Sequence, residues 1–157
     1  MSTRRRSLLA AALVTVAITG CSAAEGDGPS SAPAASRATT STPIVFDLDG
    51  TQVEGQLDDS AASRSLLAQL PLTVTFNDYG GQEIIGALPQ PLDLDGAPDG
   101  SAAPALTIGY YVPQQSLVLY YESVGYFGGI VPLGTFEGSD VVEGLVGEVS
   151  VTIRRAR

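Results

Sequence analysis

A pair of aspartates, Asp47 and Asp49, has the spacing of residues that could perform phosphoryl transfer. In the stretch Phe46–Thr51, one carboxylate could accept a phosphoryl group while the other moves protons. That chemistry also needs a cation on the phosphoryl oxygens, commonly a lysine, and further acids to hold Mg²⁺. The chain has no lysine, and the next pair of adjacent acids, Asp58-Asp59, follows too soon for a helix to separate the two motifs. The pair is therefore predicted to belong to a hairpin with an Asp49-Gly50 turn, and no catalytic residue is assigned.

A second acidic stretch, Asp93–Gly100, has the spaced carboxylates of a calcium loop. An EF-hand loop requires an oxygen ligand at its fifth position, glycine at the sixth and glutamate at the twelfth. In this chain those positions hold Ala97, Pro98 and Pro104. Clusters of Asp, Gly and Pro are also typical of solvated turns, so the stretch is predicted to be a loop. We expect neither a metal nor a cofactor, with a weak calcium site of another type as the alternative.

Aromatic residues and one isolated acid are candidates for binding. Tyr110, Tyr111, Tyr120 and Tyr121 fall on two predicted strands that pair with each other. Because side chains alternate across a strand, about half of these tyrosines are expected in the core and half on an open face. Glu83 is the one acid within an otherwise apolar stretch, where a solvated strand position is the alternative to a binding role.

The composition of the 157 residues excludes several classes of function. Histidine is absent and cysteine occurs once, so a Ser-His-Asp triad, a zinc cluster and a disulfide within the chain cannot form. Seventeen acids and eight arginines give a net charge of −9, which argues against nucleic acid as a partner. The apolar fraction of 44% is enough for the core of one domain.

The N-terminal segment has the pattern of an export signal. Arg4–Arg6 precede an apolar run, Leu8–Ile18, which is shorter than the about 20 residues that a spanning helix needs. The next residues, Ile18-Thr19-Gly20-Cys21, resemble the lipobox of bacterial lipoproteins, in which the cysteine sulfur receives a diacylglycerol before cleavage. Residues 1–20 are therefore predicted to be a signal peptide and Cys21 the lipidated residue, with cleavage by an ordinary signal peptidase as the alternative.

Lipidation would place the protein on the outer face of a cell membrane without spanning it. The mature chain would keep five arginines against seventeen acids, a charge of −12, so a neutral or cationic ligand is expected. Residues 21–42 are rich in Ser, Ala, Thr and Pro and are predicted to be a flexible linker after the lipidated cysteine. The remainder, residues 43–157, is predicted to be a single domain.

The domain has the alternation of apolar and polar residues that is typical of strands. Such alternation occurs in Ile44–Leu48, Leu72–Asn77 and Val149–Ile153. A second hairpin is predicted between Leu106–Val112 and Ser116–Glu122, and two short helices are expected near residues 60–70 and 139–145. This order predicts a mainly β fold, a small closed antiparallel barrel with two short helices.

Several motifs are similar to those of a bacterial cyclophilin-like family. The matching stretches are Phe76–Glu83, Ile85-Gly86, Leu88-Pro89 with Pro91-Leu92, Tyr110–Pro113, Leu117–Tyr121 and Pro132–Gly134. The resemblance implies an eight-stranded cyclophilin-type barrel, in agreement with the alternation. Members often carry lysine directly after the signature glutamate, where this chain has Ile84.

The resemblance also implies where a ligand would bind. Relatives bind peptides beside the third strand and the turn that follows it, so the groove candidates are Phe76, Glu83, Tyr111 and Tyr120. Cyclophilins that isomerise prolyl bonds use an arginine on the third strand, but Leu72–Tyr79 contains none. We therefore expect a binding module for a peptide or small ligand. The alternatives are an unconventional prolyl isomerase acting on exported proteins and a structural accessory of a membrane complex.

Overall fold

The computed structural model describes residues 40–145 and 147–157, and this part of the chain forms ten strands and two short α-helices. In chain order the elements are β1 (Thr42–Leu48), β2 (Thr51–Leu57), α1 (Ala61–Gln69), β3 (Leu72–Tyr79), β4 (Glu83–Ala87), β5 (Gly100–Ala103), β6 (Thr107–Tyr111), a 3-10 helix (Val112–Gln114), β7 (Ser116–Tyr120), β8 (Val124–Gly128), β9 (Ile130–Phe136), α2 (Ser139–Glu143) and β10 (Val149–Arg155).

Eight of these strands close into an antiparallel barrel. Their order around the wall is β1-β10-β3-β4-β7-β6-β9-β2, with β2 returning to β1. The two other strands, β5 and β8, pair only with each other as a separate two-stranded sheet. The prediction of a mainly β fold with a closed antiparallel barrel and two helices is confirmed. Closure removes the free edges that an open sheet would expose.

The β1–β2 hairpin accounts for the aspartate pair of the first motif. Asp49 and Gly50 both adopt positive φ, at 51° and 90°, which is the geometry of a tight two-residue turn. The Gly50 amide donates to Asp47 Oδ1 at 2.9 Å. The Asp47 carboxylate therefore stabilises the turn.

Helix α1 is fixed to the barrel through its N-terminus. The Ser60 hydroxyl accepts a hydrogen bond from the Ser63 amide at 3.1 Å, which caps the helix. The buried Ser63 hydroxyl lies 3.0 Å from the Leu133 carbonyl of β9 and also contacts Asp58. Leu66 and Leu67 follow Ser63 by three and four positions, so they share its helix face and are buried against the barrel. No helix within the described residues has the length and apolarity required to cross a membrane.

Strand β7 is buried on both of its faces, and this defines two separate apolar clusters. Leu117 and Leu119 point into the barrel, where they join the main core. Val118 and Tyr120 point outward and pack with Ala103 and Ile130 in a second cluster. An outward face is buried only when something covers it, and here the cover is the β5–β8 sheet. The candidate site lies between this cover and the barrel wall.

Candidate functional site

A cavity of about 280 Å³ opens between the outer face of the barrel and the β5–β8 sheet. Strands β4, β7, β6 and β9 supply its floor, since the outward residues of each contribute to the lining. The lining residues are Tyr79, Gly80, Gln82, Glu83, Ile85, Tyr111, Gln114, Tyr120, Val124, Phe127 and Ile130. The cavity therefore combines aromatic rings and aliphatic side chains with two amides and one carboxylate.

Glu83 and Tyr120 are direct neighbours on the floor of this cavity. They are opposite residues in the β4–β7 ladder, so their side chains leave the same face of the sheet. On its other side Tyr120 pairs with Thr107 of β6, two residues before Gly109 on the same strand. A Cβ at Gly109 would lie 2.8 Å from Tyr120 Cε2, which is closer than two carbon atoms can pack. The absence of a side chain at Gly109 thus makes room for the Tyr120 ring.

The turn between β3 and β4 forms one wall. Gly80 and Gly81 both have positive φ, at 70° and 66°, as a tight hairpin turn requires. Asp78 Oδ1 accepts a hydrogen bond from the Gly81 amide at 3.2 Å, and Asp78 Oδ2 accepts one from the Tyr121 hydroxyl. The Gln82 carbonyl accepts from the Tyr121 amide at 3.1 Å. These contacts hold the wall against the end of β7.

The opposite wall depends on an irregularity in the β5–β8 sheet. Ser101 pairs with Phe127 and Ala103 with Val124, so the register shifts between these pairs as in a β-bulge. Val124 and Phe127 are three positions apart and would point to opposite faces of a regular strand. The shift allows both side chains to line the cavity.

Tyr111 closes the cavity at the end of β6. Its ring lies 6.1 Å from the Phe127 ring, centroid to centroid, with the planes tilted by 50°. The chain then enters the 3-10 helix, which carries the lining residue Gln114. The Gln115 side chain donates to the Leu88 carbonyl at 2.8 Å and fixes this segment to the end of β4.

The electrostatics of the cavity are set by one half-buried carboxyl group. Burial raises the pKa of Glu83, because removal from water disfavours the charged form. Burial also raises the pKa of Tyr120, and the neighbouring Glu83 charge adds to this effect. Tyr120 is therefore a neutral hydroxyl group beside the Glu83 carboxyl group at physiological pH.

The structure brings together three of the four residues predicted to form a groove. Glu83, Tyr111 and Tyr120 all line the cavity. Phe76 does not: it is 1% exposed and packs in the barrel core, which corrects its assignment to the groove. Phe76 points inward because it shares a face of β3 with the buried Val74.

Several lining residues were not among the sequence candidates. They are Tyr79, Gly80, Gln82, Ile85, Gln114, Val124, Phe127 and Ile130. The Tyr79-Gly80-Gly81 turn and the glycine-flanked Tyr126-Phe127 pair are the signals that could have found some of them. The contribution of β8 could not be recognised without its pairing to β5.

No metal site accompanies the cavity in the described ranges, 40–145 and 147–157, where no three potential ligand side chains gather. In the acidic loop, Asp93 Oδ1 accepts a hydrogen bond from the Asp95 amide at 3.0 Å, as in an ordinary Asx turn. Cys21 and the predicted signal peptide, residues 1–20, lie outside the described residues, as does most of the predicted linker.

Comparison with known proteins identifies the class. A sequence model of the Cyclophilin-like family matches residues 46–154. The match covers more than half of the chain and all eight strands of the barrel in whole or in part, so the protein belongs to the Cyclophilin-like family. The family resemblance inferred from the motifs is confirmed.

The fold is also found among solved structures. The solution structure of a hypothetical protein from Archaeoglobus fulgidus is similar, with a TM-score of 0.56 and 16% sequence identity. The alignment covers 77% of this chain and 99% of the archaeal chain. At this identity the likeness establishes the fold alone. A search of curated proteins found no match.

Proposed function

We propose that the protein is an exported lipoprotein, anchored through Cys21 to the outer face of a membrane, whose cyclophilin-like domain binds a peptide segment or small ligand. The observation that supports binding is the cavity of about 280 Å³, which places aromatic, aliphatic and amide groups around one carboxylate. Ligand sites in proteins have this composition, an apolar lining with a few polar groups that orient the ligand. The volume suits one side chain or a small molecule.

The lining residues favour binding over prolyl isomerisation. A cyclophilin-type isomerase needs a cationic group to stabilise the twisting amide. In the described part of the chain, the arginines are Arg64 on α1, Arg154 and Arg155 on β10, and Arg157, and none of them lines the cavity. The cavity thus offers hydrogen-bonding groups and apolar surface, without the charge that the reaction requires.

Binding is tested by NMR titration with a set of capped tetrapeptides that differ at one central residue. We expect amide shift changes at residues 79–85, 111–114 and 124–130, and weaker binding in Tyr111→Ala. Tyr126→Ala is the matched control, because Tyr126 is 72% exposed and does not line the cavity. Shift changes confined to other surfaces would contradict this assignment. Accelerated isomerisation of an Ala-Pro peptide would favour the isomerase alternative.

The anchor is tested by fractionation of cells that express the full chain. Wild type and Thr19→Ala, which keeps a small residue in the lipobox, are expected in the membrane fraction. Cys21→Ala is expected to be released or to remain unprocessed, because it lacks the sulfur that carries the lipid. A Cys21→Ala protein of mature size that stays with washed membranes would show that lipidation is not the anchor.

A further inference from the structure

Glu83 is the one charged residue among those that line the cavity. It is half-buried, and no arginine lines the cavity beside it. A carboxylate that has lost part of its hydration is stabilised by a cation or by hydrogen bonds to its oxygens. Without a cation from the lining residues, the carboxylate is free to pair with a charge that a ligand brings.

Four aromatic rings surround the same cavity. Tyr120 is the cross-strand neighbour of Glu83, and the ring centroids of Tyr111 and Phe127 lie 6.1 Å apart. Tyr79 and Phe127 are 63% and 56% exposed, so part of each ring is open to a ligand. Cations are attracted to the faces of aromatic rings at distances of up to about 6 Å.

From this combination we infer that the cavity recognises an organic cation, either an ammonium or a guanidinium group, with Glu83 as its counter-ion and the aromatic rings as its apolar walls. The inference rests on the proposed binding function and narrows it to a ligand class. The net charge of the whole chain, −9, also favours a cationic ligand, because it attracts cations and repels anions.

The first test compares two peptides on the unmodified protein. Acetyl-Ala-Arg-Ala-amide carries a guanidinium group, and acetyl-Ala-citrulline-Ala-amide replaces it with a neutral urea of nearly the same shape. We expect the arginine peptide to bind about tenfold more tightly, the scale of a charge-assisted hydrogen bond. Equal affinities for the charged and the neutral member, in this pair and in the pair of free probes below, would overturn the inference and leave the proposed binding function intact. Failure of all four probes to bind would count against the proposed binding function itself.

Benzyltrimethylammonium, compared with benzyl alcohol, distinguishes a free cation from a cationic side chain in a peptide. Tight binding of the free ammonium alone would identify the ligand as a small molecule. Tight binding of the arginine peptide alone would identify it as a peptide segment. Selective binding of either cation supports the inference, while preference for the neutral member of both pairs contradicts it.

Two variants locate the counter-ion. Glu83→Gln keeps the shape of the side chain and is expected to reduce the affinity for the cation about tenfold, with little change for the neutral probe. Glu122→Gln removes the same charge from a residue that does not line the cavity, so the affinity should stay within about twofold. Equal losses in the two variants would show that only the overall charge attracts the ligand. Phe127→Leu keeps an apolar side chain but removes the aromatic ring, so it should lower the affinity for the cation about two- to fivefold.

Discussion

The Tyr121 hydroxyl donates a hydrogen bond to Asp78 Oδ2 and thereby joins the residue after β7 to the end of β3. The other oxygen of the same carboxylate accepts from the Gly81 amide. One carboxylate thus fixes both the β3–β4 turn and its contact with the neighbouring strand. Since Tyr79, Gly80 and Gln82 of this turn line the cavity, the hydrogen bond also positions part of the candidate site.

Tyr121→Phe is expected to lower the free energy of unfolding by about 1–2 kcal/mol, because a partly buried hydrogen bond to a charged group is lost. Urea denaturation measures the change. Tyr126→Phe is the control, since this tyrosine is 72% exposed, and its unfolding free energy should stay within about 0.5 kcal/mol of wild type. Equal stability of the two variants would show that the Asp78 contact contributes nothing.

Stability should decrease at alkaline pH through the same residue. Burial, followed by the hydrogen bond to Asp78, raises the pKa of Tyr121 to about 12 from its usual value of 10.0. Between these two values the unfolded chain has lost the Tyr121 proton and the folded chain retains it, so stability falls as pH rises. Tyr121→Phe removes this contribution, and its unfolding free energy should fall less steeply over this range. An unchanged slope would contradict the assignment.

Gly109→Ala is expected to lower the free energy of unfolding by about 1–3 kcal/mol, because the added methyl group would meet the Tyr120 ring. The ring would have to move toward the cavity, so affinity for the arginine peptide should fall as well. In Gly125→Ala the methyl group meets nothing within 4 Å, which makes it the matched control for stability. Chemical denaturation of both variants tests this difference.

Phe76→Ala and Phe127→Ala should separate the core from the cavity. Phe76 is 1% exposed, and its truncation is expected to cost about 3–5 kcal/mol of unfolding free energy, as large-to-small core substitutions do. Phe127 is 56% exposed, so its truncation should cost much less stability and weaken ligand binding instead. Thermal unfolding together with the NMR titration tests the pair. A stable Phe76→Ala that loses binding would return Phe76 to the site.

The sequence predicts the barrel well because its strands have one apolar face and one polar or covered face. Alternation also predicts that Tyr110 and Tyr111 point to opposite faces, and the structure places Tyr110 in the core and Tyr111 at the cavity. The same rule assigns Phe76 to the face of Val74 and would have placed it in the core. Its assignment to the groove came from the family resemblance. That resemblance indicates which strand borders the groove but not which face of the strand carries a given side chain.

The β5–β8 sheet could not be predicted in the same way. Val124–Gly128 is exposed over most of its length and has no alternation of apolar and polar residues. Its partner, Gly100–Ala103, is distant in sequence and consists of small residues. The register shift then turns Val124 and Phe127 toward one side, which no periodic pattern anticipates. The half of the cavity that this sheet supplies therefore depends on tertiary pairing.

The circular strand order also determines how the domain presents its cavity. The chain enters the barrel through β1, which lies halfway around the wall from β7, the strand at the floor of the cavity. The end of β10 lies beside the same entry point, since the Ala156 amide donates to the Pro43 carbonyl at 3.0 Å. Both ends of the domain therefore emerge on the side of the wall remote from the cavity. A tether attached at either end of the domain therefore leaves the cavity uncovered.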